Sequence, residues 1–287
     1  MQVEPSQETF AAIYDRGEPQ VVWTTLVADL ETPVSAFLKI ARRPPGFLLE
    51  SVEGGAARGR YSIIGLEPDL VWRSNGGVAE INRAARAVAD GFVRCPQPPL
   101  EALRALIGES RIALPPSLPP MAAGVFGYLG YDMVRLMERL PPAKPDPIGI
   151  ADAVLVRPTL VVVFDSVKDT LTVVTPVRPE AGVSAIAAHA RAVERLNGVV
   201  DDLDRPLVQE AANGDGGPPN VLPTSNTTPE EFAAMVRRAK DYIYAGDVFQ
   251  VVLAQRFETP FTPPPFALYR ALRRVNPAPF LFFLDYG

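Results

Sequence analysis

Thr159-Leu160-Val161-Val162-Val163-Phe164-Asp165, then Ser166-Val167-Lys168-Asp169, then Thr170-Leu171-Thr172-Val173-Val174-Thr175: this stretch decides the fold. Two β-branched runs flank a short polar break, which is the signature of an antiparallel hairpin. The first run is apolar at successive positions, so both of its faces are buried and it belongs in the middle of a sheet. Toward the N-terminus, Gly46-Phe47-Leu48-Leu49-Glu50-Ser51, Arg60-Tyr61-Ser62-Ile63-Ile64-Gly65 and Asp69-Leu70-Val71-Trp72-Arg73 read as further short strands separated by turn residues. A helix is expected over Pro99 to Ile107. Another is expected from about Ala181 to Leu196, where Ile186, Ala190, Val193 and Asn197 fall in helical step with arginines between them. The expected class is α+β: antiparallel sheets with flanking helices.

Toward the C-terminus the texture changes at Asp201. From there to Asn226 the chain is acidic and rich in Gly and Pro, as a linker or exposed loop is. The expected organisation is an N-terminal domain over 1–205, a linker over 206–226 and the start of a second domain over 227–287. Thr228-Pro229-Glu230-Glu231 opens a helix with an N-cap, a proline at the first position and a glutamate at the third. Its apolar stripe is Phe232, Met235, Val236, Ala239 and Tyr242, and Gly246 is its natural stop. Asp247 to Glu258 alternates as a strand would, and a helix is expected from Phe266 to Val275. The closing run from Phe280 to Gly287 reads as an apolar strand. A chain that stops on it is expected to be a domain broken off, with a buried C-terminal edge strand as the other reading.

The chain has 287 residues, enough for one large domain or two ordinary ones. Its net charge of −5 argues against nucleic acid, which needs a basic face. Cys95 is the single cysteine, so no internal disulfide can form and a reducing compartment is expected. The first fifteen residues include Glu4, Glu8 and Asp15 and have no apolar core, unlike a signal peptide. The longest apolar stretch, around Leu160 to Phe164, is too short to span a bilayer. A soluble, cytoplasmic protein is the expectation.

No catalytic constellation stands out. His189, the only histidine, falls in step with Ile186, Val193 and Leu196, and reads as a packing residue. One histidine and one cysteine build no histidine or thiolate metal site. Dinucleotide, phosphate-loop and nucleophile-elbow motifs are missing from the sequence. Gly124-Val125-Phe126-Gly127-Tyr128-Leu129-Gly130 has glycines without phosphate-loop spacing, and is expected to be a strand approached closely by another backbone.

Six segments, in order, carry a resemblance. They are Thr32-Pro33-Val34-Ser35-Ala36-Phe37-Leu38-Lys39, Phe47-Leu48-Leu49-Glu50-Ser51, Arg60 to Gly65, Gly127-Tyr128-Leu129-Gly130-Tyr131-Asp132, Gly246 to Phe257, and Asn276-Pro277-Ala278-Pro279-Phe280-Leu281-Phe282-Phe283. Spread over nearly the whole chain, they resemble anthranilate synthase component I, a chorismate-utilising family whose members continue well past the point matching Gly287. The resemblance implies an α+β fold with an incomplete second domain. It implies conversion of chorismate and ammonia to anthranilate and pyruvate, the first step of tryptophan biosynthesis. The ammonia would come from glutamine through an amidotransferase partner, component II. Mg²⁺ is implied as cofactor, with ligands beyond Gly287, as are the catalytic residues. The chain alone is therefore expected to be inactive.

The resemblance also implies a feedback site for L-tryptophan at Glu50, Ser51, Pro279, Phe280 and Leu281. The family's Pro-Tyr-Met stands here as Pro279-Phe280-Leu281, which keeps the slot apolar and loses a hydroxyl. At Leu253-Ala254 the family commonly has Pro-Ser. Read without the resemblance, Ser51 is a strand-end serine bonding its own backbone and Glu50 a solvated charge. Gln255 and Arg256 point to a chorismate cavity on the resemblance and to an exposed strand pair without it. Two rivals stay open: aminodeoxychorismate synthase component I, and a non-catalytic module that binds tryptophan or a partner protein.

Overall fold

The computed structural model describes residues 2–51, 59–207 and 222–287. By contacts the chain divides into two units: Met1–Leu207 with Tyr269–Gly287, and Val208–Leu268.

The first unit opens with α1 (Gln7–Tyr14), β1 (Gln20–Val27), α2 (Pro33–Ile40) and β2 (Gly46–Ser51). Next come β3 (Tyr61–Asn75), β4 (Val78–Asn82), β5 (Val93–Arg94) and α3 (Pro99–Ser110). β6 (Phe126–Leu129), β7 (Ala153–Asp165), β8 (Thr170–Val177) and α4 (Ala185–Leu203) follow. The second unit holds β9 (Thr224–Ser225), α5 (Pro229–Ala245) and β10 (Phe257–Glu258). α6 (Pro265–Val275) begins in the second unit and ends in the first, and β11 (Phe280–Asp285) returns to the first.

One antiparallel sheet of nine strands carries the first unit, in the order β1-β8-β7-β3-β2-β11, with β4 on β3, β5 on β4 and β6 on β7. β7 lies centrally, as its unbroken apolar run requires: Val161, Val162 and Val163 are all buried. Burying each valine stabilises the fold by about 1.5–3 kcal/mol relative to exposure, so this triplet anchors the sheet. One face packs Trp23, Phe47, Ile63, Val161, Val163 and Val174 beneath Leu118 and Ala122. Farther along the strands, Leu70, Trp72, Ala153 and Leu155 pack on Ala102, Leu103 and Leu106 of α3. Capping fixes where the helices start. Thr32 and Ser35 form a reciprocal capping box at α2, and Ser184 accepts from the Ala187 N–H at α4.

Several elements differ from expectation. The two strands expected over 60–65 and 69–73 are one, β3, with a register shift between Pro68 and Leu70. Glu67 there takes a left-handed φ of 49°, and proline, which has no N–H to donate, is accommodated at such an irregularity. α3 runs on to Ser110. α4 starts at Ala185, after its serine cap, and runs through Asp201 and Asp202, so the change of texture comes before the helix ends. The strand expected over 247–258 is a correction. Only Phe257–Glu258 is strand, paired with Thr224–Ser225. Alternation supplies a face but no pairing partner, and β9 offers only two residues. Most of the linker expected over 206–226, residues 208–221, lies outside the described residues.

The helix opened by Thr228 matches its expected caps. Thr228 accepts from the Glu231 N–H, Glu231 accepts from the Thr228 N–H, and Gly246 closes the helix at φ 79°. The closing strand, β11, pairs with β2 over all six of its residues.

Candidate functional site at the paired ends of the chain

β2 ends in Glu50-Ser51 and β11 begins at Phe280. In the antiparallel register Ser51 stands opposite Phe280, and Glu50 opposite Leu281. Opposite residues share a face of the sheet and successive residues alternate. The sequence-expected residues therefore meet in two pairs, one on each face. Pro279, exposed, immediately precedes the strand.

On the first face lie Leu49, Ser51, Phe280 and Phe282. The two phenylalanines are 78% and 68% exposed, an aromatic surface beside a half-buried serine. The chain at Gly59 crosses directly over Ser51. A β-carbon there would sit 2.2 Å from both the Ser51 carbonyl oxygen and its Oγ, so glycine is the residue that fits. That crossing is pinned by the β7–β8 turn, where the Ser166 hydroxyl donates to the Gly59 carbonyl at 3.0 Å.

The other face is closed. Glu50 is 3% exposed, so it is not the solvated charge of the plain reading. Arg273 donates to it through Nε at 2.9 Å and Nη2 at 3.0 Å, and the Tyr269 hydroxyl donates to the same carboxylate. Burial, reinforced by the hydrogen bond to Glu50, pushes the Tyr269 phenol well above its ordinary value, so it remains a donor. The hydrogen bonds to Glu50 raise the Arg273 guanidinium in turn. Beneath this cluster Phe283 meets Phe37 edge-on, with ring centroids 5.7 Å apart, and Tyr269 at 5.9 Å. Sequence reasoning missed Tyr269 and Arg273. Their spacing of four along α6 places them on one helix face, a signal that pairs them with each other and not with Glu50.

The remaining candidates lie elsewhere. Gln255 and Arg256 are in the second unit. The Gln255 side-chain oxygen accepts from the Ser225 hydroxyl, and Arg256 pairs with Glu258 at 2.8 Å. His189 packs edge-on to Phe10 at 5.1 Å and shares a 3.2 Å hydrogen bond with the Pro5 carbonyl, as a packing residue would. Cys95 is buried, and burial raises its thiol, which makes it a poor nucleophile. Gly127 is approached by the β7 backbone, as expected: a β-carbon there would lie 1.9 Å from the Val154 carbonyl oxygen. Among the described residues, no group of three or more His, Cys, Asp or Glu is placed to hold a metal ion. No helix among them is long and apolar enough to cross a membrane.

Residues 67–287 match the chorismate binding enzyme family, more than half of the chain. This chain belongs to that family. Within the chorismate binding enzymes it is similar to anthranilate synthase component 1 of Cereibacter sphaeroides. The two are 51% identical over 283 residues, which cover 98% of this chain and 56% of that protein. The corresponding protein of Thermus thermophilus is 43% identical over 92% of this chain and 53% of its own length. Among solved structures, anthranilate synthase component I from Streptococcus pneumoniae TIGR4 aligns with a TM-score of 0.60 at 27% identity. That alignment covers 88% of this chain and 52% of the other. The α+β fold, helices on an antiparallel sheet, is thus the fold of this enzyme group. The chain spans about half the length of the curated relatives it matches.

Proposed function

We propose that the chain is the front part of an anthranilate synthase component I, carrying the regulatory end of an enzyme that turns chorismate and ammonia into anthranilate and pyruvate. Residues 227–287 are then the opening of the chorismate-binding part, and glutamine-derived ammonia comes from a component II amidotransferase. The residues that break chorismate's carbon–oxygen bond, and those that bind Mg²⁺, are assigned to sequence beyond Gly287. Relatives named anthranilate synthase component 1 that run to nearly twice this length support that assignment. On this reading the 287 residues, given chorismate, Mg²⁺ and ammonium, make no anthranilate, and fluorescence detection of anthranilate would overturn it.

The single observation that carries the regulatory reading is the β2–β11 register, which sets Ser51 against Phe280. A free amino acid needs acceptors for its ammonium, donors for its carboxylate and a flat apolar surface for its side chain. The Ser51 hydroxyl, the strand-end backbone and the Phe280 ring answer those needs, with Pro279 next to Phe280 in the chain. The Glu50 carboxylate is already held by Arg273 and Tyr269. The ligand's ammonium therefore falls to Ser51 and backbone carbonyls, while Glu50 and Leu281 support the strand ends from the closed face.

The test is thermal unfolding with L-tryptophan. At about one hundred times its dissociation constant, a specific ligand adds roughly 2.7 kcal/mol of stability. A rise in Tm with L-tryptophan, abolished in Ser51→Phe, is expected. A folded protein whose Tm ignores tryptophan would reject the site.

A further inference from the structure

Asn-Gly occurs three times in the chain, at Asn75-Gly76, Asn197-Gly198 and Asn213-Gly214. A glycine has no side chain to shield its backbone nitrogen, which can attack the side-chain amide of the asparagine before it. The three dipeptides share that intrinsic reactivity, so differences between them come from the fold. The third lies outside the described residues. The asparagine is exposed in each of the other two, so exposure does not separate them.

Backbone geometry does. Asn197 sits inside the 19-residue helix α4. A helical N–H is spent on the carbonyl four residues back, and the packed helix keeps it there. Asn75 is the last residue of β3 and stands opposite Val78, the first of β4. Between them Gly76 and Gly77 have φ of 55° and 83°, the left-handed values that a type I′ hairpin turn requires. A β-carbon at Gly76 would meet no atom within 4 Å, so the turn is open to water. The Gly76 N–H donates to Asp152 Oδ2 at 2.8 Å. Asp152 is held just before β7, where its carbonyl accepts from the Gly130 N–H at 2.7 Å. The nitrogen that would attack is thus already bonded to a carboxylate.

We propose that Asn75 is a site of spontaneous deamidation and isomerisation, with the Asp152 carboxylate as general base. Asp152 Oδ2 takes the Gly76 N–H proton as that nitrogen bonds to Asn75 Cγ. The Cγ–Nδ2 bond then breaks, and Nδ2 leaves as ammonia with the proton that Asp152 held. The product is a cyclic imide, formed with no change of oxidation state. Water opens it at either carbonyl, leaving aspartate or isoaspartate at position 75. Isoaspartate runs the main chain through the former side chain and lengthens it by a methylene. The turn sets the register of the hairpin, so β4, whose Ala79 packs with Trp72, is the element that loosens.

The test is peptide mapping of the 287-residue chain after weeks at neutral pH. Fragment-ion mass spectrometry locates each conversion, and enzymatic carboxyl methylation reads isoaspartate. Asn75 should convert at least about ten times faster than Asn197, because α4 must open before Gly198 can attack. Asp152→Asn keeps an acceptor but takes no proton, so it should slow conversion at Asn75 severalfold. Asp152→Glu should restore part of the rate, and neither variant should alter Asn197. Amide exchange along β4 should quicken in the aged protein and not in aged Asn75→Ser. Equal conversion at Asn75 and Asn197 in the folded protein, including none at either, overturns the proposal. So does conversion of Asn75 as fast in Asp152→Asn as in the wild type.

Discussion

At the scale of single residues, buried charge is the dominant consideration. The Glu50 carboxylate is sealed from water and depends on Arg273 and Tyr269 for its partners. Arg273→Ala leaves a buried charge with one donor, and removing one member of a buried pair is strongly destabilising. Arg273 is about a third exposed, so a loss of about 2–3 kcal/mol is expected in urea unfolding, with a smaller loss in Glu50→Gln. A second buried carboxylate sets a pH dependence. Hydrogen bonds from Arg60 hold Asp165 below its ordinary carboxyl range, against the opposing effect of burial. A group whose folded pKa is depressed contributes stability above its unfolded pKa and loses it as pH falls through the folded one. The urea midpoint should therefore drop on acidification below about pH 4, and less steeply in Asp165→Asn. Sequence shows that these residues are charged. It does not show that they are buried, because burial is set by what α6 brings against Glu50 and what Arg60 and β3 bring against Asp165.

Among the elements, strand contacts are set by backbone approach as much as by side chains. Gly127 of β6 lies against the β7 backbone, with no room for a methyl beside the Val154 carbonyl. Gly127→Ala must push the strands apart. A loss of about 1–3 kcal/mol or more is expected, together with faster amide exchange along β6. Local signals placed most elements well. Caps at Thr32, Ser184 and Thr228 fix helix starts through hydrogen bonds to N–H groups within the next turn, so they are legible over a few residues. The strand expected over 247–258 shows the limit of that logic. A strand is completed by a neighbour, and the neighbour lies far away in sequence.

For the whole molecule, the two units differ in how much they bury. Among the described residues of 222–268, only Ala239 and Phe266 are buried, whereas β7 is buried along most of its length. Local opening follows buried apolar contact. Hydrogen exchange should therefore show α5 amides exchanging well before those of Val161 to Val163. Equal protection in the two would contradict that account.

The sequence by itself determined the class of fold, the central hairpin, most helix starts and the family, because each is written in short-range pattern or in ordered motifs. Only the tertiary structure decided that the last strand completes the first unit's sheet. It alone set Ser51 beside Phe280 on one face, and closed the other face with Tyr269 and Arg273 on Glu50. The physical reason is that antiparallel register and the burial of a charge are properties of two segments some 220 residues apart. No local preference in either segment specifies the other.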